Sequence, residues 1–286
     1  MLLLQYIVSG VATGCFLILA TIGFSLTRHV EGFLNIAHAQ LLGVSAFSTW
    51  WINVVLGWPL IPSAIIGIFC AALIGLVIGR VVYEPIRSAG PAILLISSVG
   101  VAHILGGLID TAIGTGIRTL NIDIATSYRF WGIRITDHQL LVVALAVIAS
   151  ASLSLFLAKS RTGLAIRAMA VNPSLAASRG VDVKRTSRAT WLLSSSLAGL
   201  AGVVLAIIAT LSTEIAFEQI LQILAVAILA GLGSLFTVIW SGLIIGIAMD
   251  ASVFWIPAGY RPLIAFGVVI IVLVFRPDGL SGRRSS

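Results

Sequence analysis

Long apolar runs separated by short polar breaks recur along the whole chain, from Leu2 to Phe275. A spanning helix needs about 20 apolar residues to cross a hydrocarbon core of about 30 Å. The runs Leu2–Leu26, Phe33–Leu56, Leu60–Val82, Ala92–Ile113, Leu140–Ala158, Thr190–Leu211 and Leu235–Phe254 meet that measure, and Leu263–Phe275 continues the series. Phe217–Leu232 is shorter and runs into Gly231, Gly233 and Ser234, so it reads as a full span or a re-entrant one, which gives nine spans or eight. The first run carries no positive charge ahead of it and continues past residue 20, which predicts a retained helix and not a cleaved leader. The pattern predicts an all-α polytopic membrane protein, a single transmembrane domain over residues 1–286, with no tandem repeat.

Composition agrees with the pattern. Hydrophobic residues make up 59% and charged residues 9% of the 286, where a soluble domain carries about a quarter charged. The net charge of +7 follows a side preference: on a nine-span reading, thirteen Lys and Arg fall in loops of one side and four, Arg118, Arg129, Arg134 and Arg261, on the other. The positive-inside bias then puts the N-terminus and residues 114–138 outside, and residues 159–188 and the C-terminus inside. Trp50, Trp51, Trp58, Trp131 and Trp255 fall near the outer span ends, as interfacial aromatic residues do. Cys15 and Cys70 both lie in apolar runs and suggest neither a disulfide nor a metal site.

Chemistry is sparse. The two lysines, Lys159 and Lys184, do not follow a glycine-rich phosphate loop, so the chain is expected to hydrolyse no ATP, to carry no cofactor of its own and to be no enzyme. Ionisable residues in or near the spans are His38, His103, Asp110, Glu214, Glu218 and Asp250; Asp110 and Asp250 are read as lying near outer helix ends close to water, and His103 as deeper. His103, Gly106, Gly107 and Asp110 share a helix face, which reads as a close helix contact with a polar pair, or as a proton relay without further acids. Asn35, His38, Ser45 and Thr49 fall within an arc of roughly 80° at about 100° per residue. Lipid cannot satisfy such a stripe, so it is either a hydrogen-bonded seam between helices or the lining of a translocation path. Gly199 and Gly202, Gly231 and Gly233, and the G-x-x-x-G pair Gly242 and Gly246 read as helix-packing positions.

The segment Arg161–Val183 has the clearest punctuation. Asn172 before Pro173 is an N-cap with proline at the first helical position, and Gly180 fits the residue after a helix, defining a short helix over Pro173–Arg179. Ile166 and Met169 place an apolar face on a helix ahead of it. A structured cytoplasmic element with apolar residues and flanking arginines suits docking to another protein, or is a surface helix lying against the membrane domain's own loops.

Three motifs together resemble the permease subunits of branched-chain amino acid ABC importers. They are Gly32-Phe-Leu-Asn-Ile-Ala-His-Ala, Arg161-Thr-Gly-Leu-Ala-Ile-Arg-Ala with Asn172, Ala176, Ala177 and Gly180, and Ala230-Gly-Leu-Gly-Ser followed by Gly242. The resemblance covers nearly the whole chain and implies a type II importer-like helical bundle in the bacterial inner membrane. It further implies a second homologous permease, two cytoplasmic ATPase subunits that bind the ATP, and a periplasmic substrate-binding protein. On that footing Arg161, Gly163, Arg167, Asn172, Pro173 and Leu175, with Ala176, Ala177, Arg179 and Gly180, form the ATPase-coupling region. The solute implied is a branched-chain or other hydrophobic amino acid. Many members read Ala-His-Gly-Glu where this chain reads Ala37-His38-Ala39-Gln40. The alternative is a self-sufficient secondary transporter or channel for a small polar solute such as urea.

Overall fold

A computed structural model describes residues 2–114, 116–122, 125–130, 133–231, 235–277 and 279–281. Gly233, Trp131, Arg283 and Arg284 lie outside the described residues. The elements are α1 (Leu2–Glu31), α2 (His38–Trp50), α3 (Leu60–Ile78), α4 (Pro91–Ile113), the strands β1 (Ser127–Phe130) and β2 (Ile133–Thr136), α5 (Asp137–Lys159), α6 (Arg161–Val171), α7 (Pro173–Ser178), α8 (Val183–Ile208), α9 (Ile215–Ala230), α10 (Leu235–Ser252) and α11 (Arg261–Phe275). Wide π turns extend α2 over Trp51–Val55 and α3 over Gly79–Tyr83. Among the described residues, six helices are long and apolar enough to cross a membrane: those at Leu2–Glu31, Leu60–Tyr83, Pro91–Ile113, Asp137–Lys159, Val183–Ile208 and Ala258–Phe275. The apolar helices α9 and α10 are shorter.

Two departures from the sequence reading stand out. The run read as Phe33–Leu56 becomes helical only from His38, because Gly32 adopts φ +77°, a left-handed turn that ends α1 and that glycine takes without strain. The polar stretch after α4, read only as a loop, contains the antiparallel β1–β2 hairpin, with Ser127 opposite Thr136 and Phe130 opposite Ile133.

The chain forms two compact units. The first comprises Met1–Ile22, Asp123–Ser150 and Glu218–Ser286. Here α1 meets α10 glycine against glycine. A Cβ on Gly10 would lie 2.7 Å from the Ile247 Cα, one on Gly14 would lie 2.9 Å from the Gly242 carbonyl, and one on Gly246 would overlap the Gly14 backbone. Such contact is open only to residues without side chains. Asp250, expected near water, is instead 2% exposed. It is accommodated because the Thr13 hydroxyl donates to it at 2.8 Å and Arg261 pairs with it at 3.3 Å. Gln5 clamps β2 with both ends of its amide, donating to the Arg134 carbonyl and accepting from the Arg134 N–H, each at 2.8 Å. Gly231, with φ +70°, terminates α9 and does not sit on a packed helix face; the Gly279 backbone lies against it.

The second unit comprises Gly23–Ile122 and Ala151–Phe217. In it α2 packs against α3, α4 and α8, and α3 packs against α8. Small residues set these distances: Gly199 of α8 faces Ile68 and Ala71 of α3, Gly202 faces the Leu42 backbone of α2, and Gly75 of α3 leaves room for Ser195. At one end of the unit Phe33, Tyr83 and Trp191 cluster, the last two stacked at 5.0 Å and 12°, with the indole lying on Gly79.

Candidate functional site

The four polar residues read as one stripe are all buried inside the second unit, at 0% to 2% exposure. Asn35 precedes α2 and is therefore not on the helix face; its Oδ1 accepts from the Tyr83 hydroxyl at 3.2 Å. The loop that carries it is tied down by Ser98 of α4, whose hydroxyl accepts from the Ile36 N–H at 3.0 Å. His38 opens α2, with its ring edge-on to Phe24 at 5.7 Å and close to Gly23. Ser45 donates to the Gly199 carbonyl at 2.8 Å, and Thr49 faces Gly67 of α3. The α1–α8 contact beside them is also hydroxyl-lined, with Thr27 donating to Ser194 at 2.5 Å and Ser194 to the Gly23 carbonyl at 2.7 Å. These hydroxyl bonds between helices keep polar groups satisfied where lipid offers no partner.

The segment Arg161–Val183 folds as two short helices. The Ser160 hydroxyl caps α6 by accepting from the Gly163 N–H at 2.8 Å, and Gly163 packs so tightly on Phe156 and Leu157 that no side chain fits. Asn172 caps α7 by accepting from the Leu175 N–H at 3.0 Å, Pro173 opens the helix, Arg179 closes it, and Gly180 turns the chain with φ +87°. Asp182 then caps α8 through the Arg185 N–H at 3.0 Å. One expectation is corrected: Ile166 and Met169, read as a face for a partner, are 1% and 0% exposed, because α6 and α7 pack on each other and on α8. Ala176 is buried with them, and Ala177 is exposed. The apolar residues left open are Leu164 at 61%, Val171 at 84% and Leu175 at 55%, among exposed Arg161, Arg167, Arg179 and Arg185.

The first turns of α8 carry an ionic cluster that the sequence reading did not single out. Ser187 of α8 donates to Glu31 at 2.5 Å, Arg87 pairs with Glu31 at 3.3 Å, and Arg188 pairs with Glu84 at 3.1 Å. Neighbouring residues on α8 thus hold the end of α1 and the end of the α3 extension. The signal for it was the two acids, Glu31 and Glu84, placed at span ends rich in arginine.

A third feature is the α4 face. His103, Gly107 and Asp110 are exposed, and a Cβ on Gly107 would meet nothing within 4 Å among the described residues, while one on Gly106 beside them would lie 3.6 Å from Gln40 of α2. His103 has Phe217 beside it at 5.8 Å.

A family model described as "Branched-chain amino acid transport system / permease component" matches residues 6–273. The chain belongs to that family. The high-affinity branched-chain amino acid transport system permease protein LivH of Escherichia coli (strain K12) is 27% identical to this permease over 300 residues, covering 98% of this chain and 96% of its own. The corresponding protein BraD of Pseudomonas aeruginosa is 27% identical over 296 residues, with the same coverage of 98% and 96%. A solved chain of PsaBC from Streptococcus pneumoniae in complex with Fab is a distant likeness, at TM-score 0.45 and 18% identity, covering 96% of this chain and 91% of that one. The permease is a multi-pass membrane protein, and its relatives are transport subunits.

Proposed function

We propose that this permease is the membrane-spanning part of an ABC importer that moves a branched-chain or other hydrophobic amino acid across the inner membrane, driven by ATP that partner subunits bind and hydrolyse. The observation that carries the reading is the α6–α7 element. Exposed Leu164, Val171 and Leu175 stand among four exposed arginines, a surface too charged to lie in lipid and too apolar to be left in water. A groove on a cytoplasmic ATPase covers it, with Leu175 and Val171 inside and Arg161, Arg167 and Arg179 at the rim. The capped, packed helices make the contact rigid, so a movement of the ATPase passes to α8, and through Ser187 and Arg188 to α1 and α3.

The assembly is a pair of homologous permeases with two ATPases and a periplasmic binding protein. The topology has eight or nine spans, the N-terminus and the β1–β2 hairpin outside, and the α6–α7 element and C-terminus inside, within one functional permease domain. Asn35, His38, Ser45 and Thr49 border the path from behind: they fix α2 against its neighbours so that the path keeps a stiff wall. The chain itself needs no cofactor. In proteoliposomes containing the purified importer, isoleucine and valine should compete with leucine uptake and urea should not. Uptake of urea by the permease alone would overturn the reading.

A further inference from the structure

Beside exposed Ile104 and Leu108, the outer half of α4 carries one stripe of small and polar residues that a membrane-spanning helix does not readily give to lipid. His103 is about 15 Å from the Ile113 end and about 18 Å from the Pro91 end at 1.5 Å rise per residue, and so lies near mid-membrane. Gly100, His103, Gly107, Asp110 and Gly114 fall within an arc of roughly 80°, and all five are exposed. Toward the other end the same face continues as Ile96 and Val99, exposed but apolar. An imidazole at mid-membrane and a carboxylate above it are costly against hydrocarbon and face water or protein instead. Among the described residues, a Cβ placed on Gly107 would meet no atom of another helix within 4 Å, so no described helix covers the stripe there.

A second observation points to the same place. Gln40 of α2 is 3% exposed and lies against Gly106, where a Cβ would come within 3.6 Å of its Nε2; its Oε1 has no hydrogen-bond partner among the described residues. A buried amide with an unanswered carbonyl at the level of an exposed polar face is a group waiting for a ligand or for water.

We infer that this α4 face is the wall of the solute path and that it recognises the zwitterionic head of an amino acid. Asp110 receives the α-ammonium group, Gln40 adds a hydrogen-bonding amide one turn deeper, and the open surface at Gly107 leaves room for an apolar side chain. The spacing suits this: Gly107 and Asp110 are separated by about 4.5 Å along the helix axis. His103 is the next polar station toward the other side. This inference rests on the proposed transport function, and it moves the solute-contacting wall from α2 to α4.

The test uses the complete importer in proteoliposomes with leucine as probe. Gly107→Leu starts from a position where an added Cβ meets nothing within 4 Å among the described residues, and it should leave complex assembly intact while abolishing leucine uptake. Asp110→Asn should lower leucine uptake per ATP about tenfold, the size of one lost charge-assisted contact. In a Cys15→Ala, Cys70→Ala background, Gly107→Cys should react with a small water-soluble thiol reagent, a readout that needs neither solute nor ATP. Normal uptake by Gly107→Leu with an unreactive Gly107→Cys would mean that the face meets lipid, and failure of Gly107→Leu to assemble would mean that it is a subunit contact; either overturns the inference. If instead the wild-type importer shows no ATP-driven leucine uptake, the transport reading itself has failed, while a reactive Gly107→Cys would still report a water-lined face.

Discussion

Replacing Leu175 with Asp probes the proposed coupling contact without disturbing the permease. Leu175 is 55% exposed, its helix is capped by Asn172, and the buried side of the element is carried by Ile166, Met169 and Ala176. Burying a whole leucine side chain is worth roughly 1.5–3 kcal/mol. A partner that covers the exposed half therefore gains about 1 kcal/mol, so Leu175→Ala should weaken ATPase binding about fivefold. Leu175→Asp adds an unpaired carboxylate in a desolvated contact, at a cost on the order of 3 kcal/mol, and should weaken binding about a hundredfold. The assay is co-purification of the ATPase with tagged permease, together with leucine-stimulated ATP hydrolysis in proteoliposomes. The permease should reach the membrane in normal amount in both variants. Normal assembly and normal stimulated hydrolysis in Leu175→Asp would show that α7 is not the coupling element.

In a Cys15→Ala, Cys70→Ala background, Ser127→Cys and Ser178→Cys should label from opposite sides of the membrane with an impermeant reagent; labelling of both from one side would refute the topology. His38→Leu should lower uptake while the complex still assembles, and loss of assembly would leave the residue with a packing role alone. Gly246→Ala should lower the thermal stability of the purified permease by about 1–3 kcal/mol through overpacking against Gly14. An unchanged melting temperature would mean that α1 and α10 do not meet there in the membrane.

Much of the architecture was legible because membrane spans announce themselves by length and the caps of α7 by residue type. Asn172, Pro173 and Gly180 each have one dominant local role, and each takes it. What was not legible depends on which face of a helix meets its own chain. Ile166 and Met169 look like Leu164 and Leu175 in sequence, yet α8 buries the first two and leaves the others open. Asn35 looked continuous with the α2 stripe because an apolar run hides the turn at Gly32. The cluster of Glu31, Glu84, Arg87, Ser187 and Arg188 joins residues up to 157 positions apart, counted from Glu31 to Arg188, a grouping no local pattern contains. The α4 face failed in the opposite direction: glycines at helical spacing suggested a packed contact, but the described chain supplies nothing to pack on Gly107.

On the proposed function, the permease moves a hydrophobic amino acid only when partner ATPases drive it. The direct measurement is leucine accumulation in proteoliposomes carrying the permease alone, the permease with its ATPases and binding protein, or the full set with a non-hydrolysable ATP analogue. Leucine should accumulate only in the full set with hydrolysable ATP. Accumulation by the permease alone under an ion gradient would contradict it.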